Sequence, residues 1–130
     1  MIRLREQRVT EAVNELKEAV RLDPTSAQIH YDYALALAAA GNRTAAVRED
    51  LETLRLAPDL TEPRNNLATQ YAAAGEVARA CDELTELVRR HPDYIPAHLN
   101  LAQIFRATGR EADAQRELDR TEQLRAEAAK

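Results

Sequence analysis

Small and apolar residues return along this chain every 34 positions, with polar stretches of steady length between them. Alanine stands at Ala34, Ala68 and Ala102, and again at Ala46, Ala80 and Ala114. A larger side chain that can pack occupies Leu37, Tyr71 and Phe105, and leucine occupies Leu16, Leu84 and Leu118. The breaks between the runs keep the same period. All three glycines (Gly41, Gly75, Gly109) and three of the five prolines (Pro24, Pro58, Pro92) are spaced by it. Each period therefore holds two helix-length runs. The pattern predicts helices over 9–21, 26–40, 43–56, 61–74, 77–90, 95–108 and 111–127.

Each punctuating residue has a physical task. Glycine after a helical run supplies the left-handed backbone that ends a helix and turns the chain. Proline beyond the second run forbids its extension into the next. Pro63 and Pro96 fall in the first turn of a helix, where a missing N–H costs nothing. Thr25 and Gln28 stand at capping-box spacing. The alanines let the two helices of a period approach closely, so a large residue there is expected to overpack the contact.

Aligned on the period, residues 27–60, 61–94 and 95–124 form full copies, and 125–130 extend the last helix. Residues 1–26 hold the second half of another copy, with Ala12, Leu16, Ala19, Leu22 and Pro24 in register. This arrangement resembles the tetratricopeptide repeat, whose 34-residue unit has small residues at places 8 and 20, an apolar or aromatic residue at 11 and proline at 32. The resemblance implies an all-α fold, a right-handed superhelical α–α solenoid of about three and a half helix–turn–helix repeats, as a single domain over 1–130. It also implies a protein–protein interaction scaffold that binds a protein or peptide partner in a concave groove. The alternatives are a self-assembly module, or a non-catalytic appendage of a larger enzyme or secretion component.

In the resembled family, ligands meet places 2, 5, 6, 9, 12 and 13 of the first helices. Carried over, these give Gln28, Tyr31, Asp32 and Leu35 in the first full copy and Glu62, Asn65, Asn66 and Thr69 in the second. The third copy gives Leu99, Asn100, Gln103 and Arg106. Alanines at 38, 39, 72 and 73 leave room on the same face. Asn66 and Asn100, both at place 6, can each give and accept a hydrogen bond with an extended peptide backbone.

Two departures stand out. Asp50 occupies the place held elsewhere by Leu16, Leu84 and Leu118. Leu51 is expected to take the packing role while Asp50 turns to solvent; the other reading is a buried acid paired with an arginine. The first copy lacks most of its first helix, and Gln7 holds the place of the turn glycine. An uncovered flank of a helical array needs a cap. Either the array continues or a second copy of the chain covers the flank, making a homodimer through the half-repeat.

Composition narrows the function further. With 25 alanines, 16 arginines and only 2 lysines, the chain is built from strong helix formers, and its excess of alanine and arginine suggests a bacterial source with a GC-rich genome. One Phe and no Trp leave a core that depends on close helix approach. The net charge of −4, with arginines interleaved among acids, argues against nucleic acid as a partner. No run of 18 apolar residues exists to insert in a membrane, and the opening MIRLREQ is too charged for a signal peptide. The compartment stays open, the cytoplasm slightly favoured over the periplasm.

Candidate chemistry is sparse. The single cysteine, Cys81, excludes an internal disulfide and a cysteine-based metal cluster. His30 and His98 share place 4, where packing or hydrogen bonding explains them. No histidine is spaced with another ligand as in a zinc site, and the glycines form no phosphate-binding loop. Catalytic residues, cofactors and metals are therefore not expected, nor is an enzyme.

Overall fold

The computed structural model describes residues 2–130; Met1 lies outside them. Among the described residues there are seven helices and no strand: α1 (Ile2–Leu22), α2 (Ala27–Ala39), α3 (Arg43–Leu56), α4 (Thr61–Ala73), α5 (Val77–Arg90), α6 (Ile95–Ala107) and α7 (Glu111–Ala128). The chain falls into two compact units, Met1–Pro63 and Arg64–Lys130. In the first, α2 packs against both α1 and α3; in the second, α6 packs against both α5 and α7.

Three turns have the same construction. Gly41, Gly75 and Gly109 have φ of +81°, +82° and +79°. The residue after each glycine donates its N–H back across the turn, Asn42 to the Leu37 carbonyl, Glu76 to Tyr71 and Arg110 to Phe105. This is the Schellman closure, which satisfies carbonyls that the helix end leaves without a partner. A Cβ on any of the three glycines would meet no atom within 4 Å. Backbone conformation, not space, is what demands glycine there.

The interior follows the period. Ala34, Ala68 and Ala102 are buried, and Ala46, Ala80 and Ala114 have no exposed surface at all. Around them lie Leu37, Leu54, Leu67, Leu84, Leu87, Leu101 and Leu124. A buried leucine contributes about 1.5–3 kcal/mol, so the alanines supply the close approach and the leucines most of the apolar area.

The structure departs from the sequence expectations at three points. Helix α1 begins at Ile2, well before residue 9. Without glycine at position 7 nothing stops the helix, and Ile2–Arg8 are residues that a helix accepts. The cap of α2 is Ser26, whose hydroxyl accepts from the Ile29 N–H at 3.3 Å; the Thr25 hydroxyl instead donates to Asp23 Oδ1.

The third departure is Asp50. It is buried, with 2% of its surface exposed, while Leu51 is 46% exposed. Ala46, Asp50, Thr53 and Leu54 form the buried stripe of α3, and Leu51 lies about 100° around the helix from Asp50. Turning Leu51 inward would carry Ala46 and Leu54 out of the core, so the apolar stripe holds the acid inside. The Asp50 Oδ1 atom is buried without a hydrogen-bond partner, so neither solvent exposure nor an arginine pair describes it.

Replacing Ala80 by leucine should overpack the interior and lower stability by about 1–3 kcal/mol. The same change at exposed Ala78 should stay within about 0.5 kcal/mol. Urea unfolding of the two variants side by side checks the difference.

Candidate functional site

The residues expected to line a groove fall on α2 and the start of α4 in the first unit, and on α4 and α6 in the second. In the first unit, Gln28 and Tyr31 join Leu60, Thr61, Glu62 and Pro63 around a hollow of about 190 Å³. Gln28 Nε2 donates to Asp32 Oδ1 at 2.8 Å, one helical turn on, which fixes both side chains along α2. Leu35 is exposed on the same helix.

The second unit has a smaller and better defined site. Ala68, Thr69 and Ala72 of α4, Leu84 of α5, and Asn100, Gln103 and Ile104 of α6 surround a pocket of about 80 Å³. Asn100 Nδ2 donates to Asn65 Oδ1 at 2.8 Å, joining α6 to α4 beside it. Thr69 returns its hydroxyl to the Asn65 carbonyl at 3.0 Å. Three of the expected groove residues, Thr69, Asn100 and Gln103, thus share one apolar-floored pocket, and Asn65 is tied to it through Asn100. Leu99 lies elsewhere, in a hollow with Leu118, Thr121 and other residues of α7. Arg106 reaches toward Glu111 at 3.8 Å, an exposed pair worth little. Asn66 is half-buried on α4 and lines neither pocket.

Sequence reasoning missed a feature inside each hairpin. Place 4 of the first helix carries a base that meets the glutamate 19 residues on. The three pairs are His30 Nδ1 with Glu49 Oε2 at 3.0 Å, Arg64 Nη1 with Glu83 Oε2 at 2.8 Å, and His98 Nδ1 with Glu117 Oε2 at 2.6 Å. The second ring nitrogen of each histidine faces a carbonyl oxygen, Pro24 at 2.8 Å from His30 and Pro92 at 2.7 Å from His98. With an acceptor at both nitrogens, the His30 ring satisfies both only as the imidazolium, which donates twice. Arg64, which carries a permanent charge, holds the equivalent place.

Burial alone would pull the His30 pKa down. The Pro24 carbonyl and the Glu49 carboxylate, with Glu52 beyond, outweigh it and hold the ring above its ordinary value. The signal was available in the sequence: Glu49, Glu83 and Glu117 keep the 34-residue spacing, as His30, Arg64 and His98 do.

Comparison with known proteins accounts for this architecture. A family model described as TPR repeat matches residues 2–41, and one described as tetratricopeptide repeat matches 71–129. The chain belongs to the tetratricopeptide-repeat family. Its fold is similar to that of a crystal structure of MamA, with a TM-score of 0.88 at 21% identity over 93% of this chain and 71% of that one. It is also similar to YrrB, described as a TPR protein with an unusual peptide-binding site, with a TM-score of 0.80 at 17% identity over 91% of this chain and 61% of that one. No curated protein matches the chain in sequence.

Tetratricopeptide repeats are protein–protein interaction scaffolds, generally without catalysis of their own, and that is the broad function of this chain. No described helix is long and apolar enough to cross a membrane. Among the described residues no group of three or more histidine, cysteine, aspartate or glutamate side chains is placed to hold a metal ion.

The Asn65–Asn100 bond makes a direct prediction for this repeat pair. Replacing Asn100 by alanine should lower stability by about 0.5–1.5 kcal/mol, the worth of one hydrogen bond between neutral groups. Chemical denaturation of the variant beside the unaltered chain measures it.

Proposed function

We propose that the α4–α6 face of the second unit captures an extended peptide segment of a partner protein. The observation that carries this reading is the pocket of about 80 Å³ with a floor of Ala68, Ala72, Leu84 and Ile104 and a rim of Thr69, Asn100 and Gln103. A site of that size takes one small apolar side chain. The Asn65–Asn100 bond uses one amide group from each residue. It leaves the Asn65 amide N–H as a donor and the Asn100 carbonyl as an acceptor for a peptide backbone, the pairing an extended ligand needs.

The first unit carries a hollow of its own at Gln28, Tyr31 and Glu62 that can hold a peptide side chain. Leu99, in the hollow with α7, and Arg106, paired with Glu111, take no part in this reading of the α4–α6 pocket. The similarity in fold to YrrB, described as having a peptide-binding site, supports it as an analogy of architecture.

Selecting ligands from a displayed peptide library on the full chain tests the proposal. Gln103 is exposed, so its replacement by alanine should leave folding unchanged. It should weaken a selected peptide by about 1–3 kcal/mol, between fivefold and a hundredfold or so in Kd. Peptides whose affinity is indifferent to both Gln103→Ala and Asn65→Ala would place the binding face elsewhere.

A further inference from the structure

The first hairpin, α2–α3, holds two titratable groups side by side on one helix: the half-buried Glu49, which engages His30, and the buried, unpartnered Asp50. The repeat supplies its own comparison. At the corresponding places the α4–α5 hairpin has Glu83, which engages the permanently charged Arg64 at the His30 place, and Leu84, which cannot ionise. The α6–α7 hairpin has the His98–Glu117 pair but Leu118 at the Asp50 place. Thr53 and Thr121 each donate a hydroxyl to the backbone carbonyl of the paired glutamate, where the arginine hairpin has Leu87. The histidine form is therefore a complete alternative arrangement, and only the first hairpin adds a buried acid to it.

We propose that α2–α3 is a pH-sensitive element, closed while His30 is an imidazolium and Asp50 a neutral acid, and loosened when a rise in pH removes both protons. The geometry gives both steps the same sign. Deprotonated His30 keeps one N–H for two acceptors, so either the Glu49 carboxylate or the Pro24 carbonyl loses its donor. Ionised Asp50 places a charge in the core with no donor at Oδ1 and with Glu49, another carboxylate, next to it. The charged groups facing His30 are Glu49 and Glu52, and the one facing Asp50 is Glu49, all from α3. Helix α1, the other neighbour of α2, supplies no charge to either among the described residues.

Linkage sets the windows. Burial, then the charge of Glu49, raises the Asp50 carboxyl to about 7. Its contribution is fully present below the ordinary carboxylate value and is lost as pH rises through about 7. His30 is held above the ordinary imidazole value, so its contribution is intact at pH 6 and lost as pH rises through the raised value. Each group lowers the ratio of folded to unfolded chain by roughly tenfold per pH unit inside its own window. The surface carboxylates of Glu18, Glu52 and Glu86, whose pKa values are lowered by arginine partners, act in the opposite direction, but only in the acid range.

Urea unfolding of the full chain between pH 5.5 and 8.5 tests the proposal, with Asp50→Asn, His30→Arg and the double variant alongside. Asparagine cannot ionise, and arginine reproduces the place-4 residue of the middle repeat. The folded-to-unfolded ratio of the unaltered chain should fall at least about tenfold over this range, and Asp50→Asn alone should remove the part below pH 7. The double variant, which keeps the His98–Glu117 pair, should lose most of the slope. A second measurement does not depend on any variant folding: the His30 ring resonances should titrate above the ordinary histidine value in the intact protein. A flat profile for the unaltered chain, an undiminished slope in the double variant, or a His30 midpoint at or below the ordinary value would each overturn the proposal.

Discussion

Everything in these hairpins depends on two helices coming close enough that only a methyl group fits between them. Ala46, Ala80 and Ala114 have no exposed surface, and the alanines at 34, 68 and 102 have almost none. Close approach brings the leucines of the same stripes together and builds a core without phenylalanine or tryptophan among its buried residues. It also leaves little room for adjustment, because packed interiors respond to even one added methylene. The glycine turns and the helix-ending prolines serve this contact by stopping each helix where the alanines come into register.

The same closeness explains the ion pairs. A base at place 4 and a glutamate 19 residues later face each other because the hairpin brings them together three times over. Paired, partly buried charges are poor evidence for stability in themselves, since desolvation offsets most of their attraction. Their value here is specificity: a helix slipped by one residue would leave the base buried without its carboxylate. His30 in that position makes the specificity of its hairpin conditional on a proton, which Arg64 does not.

Much of this was legible in the chain because a period is visible even when individual propensities are weak. Glycine and proline at fixed intervals located six of the seven helices to within a residue or so at each end. The start of α1 was not legible in the same way. It depends on a missing breaker at Gln7, and the repeat template supplied a turn that the residues do not. Asp50 was misread because exchanging its role with Leu51 looks cheap in a sequence; on a helix the exchange would turn Ala46 and Leu54 outward as well. The base–glutamate pairs were missed because each residue looks ordinary alone and becomes informative only when three copies are set side by side. At the candidate site, place numbers found Thr69, Asn100 and Gln103, which share a pocket. They could not foresee that Leu99 would fall in a hollow with α7, because that depends on which helix covers each face.

The central functional claim is that a ligand seats on the α4–α6 face. The most direct test is an amide and side-chain chemical-shift map of the full chain titrated with a selected peptide. The account predicts the largest shifts at the Asn65, Asn100 and Gln103 side-chain amides and at the backbone of Thr69 and Ala72. Shifts confined to the outer surfaces of α5 or α7, with those side chains unmoved, would contradict it.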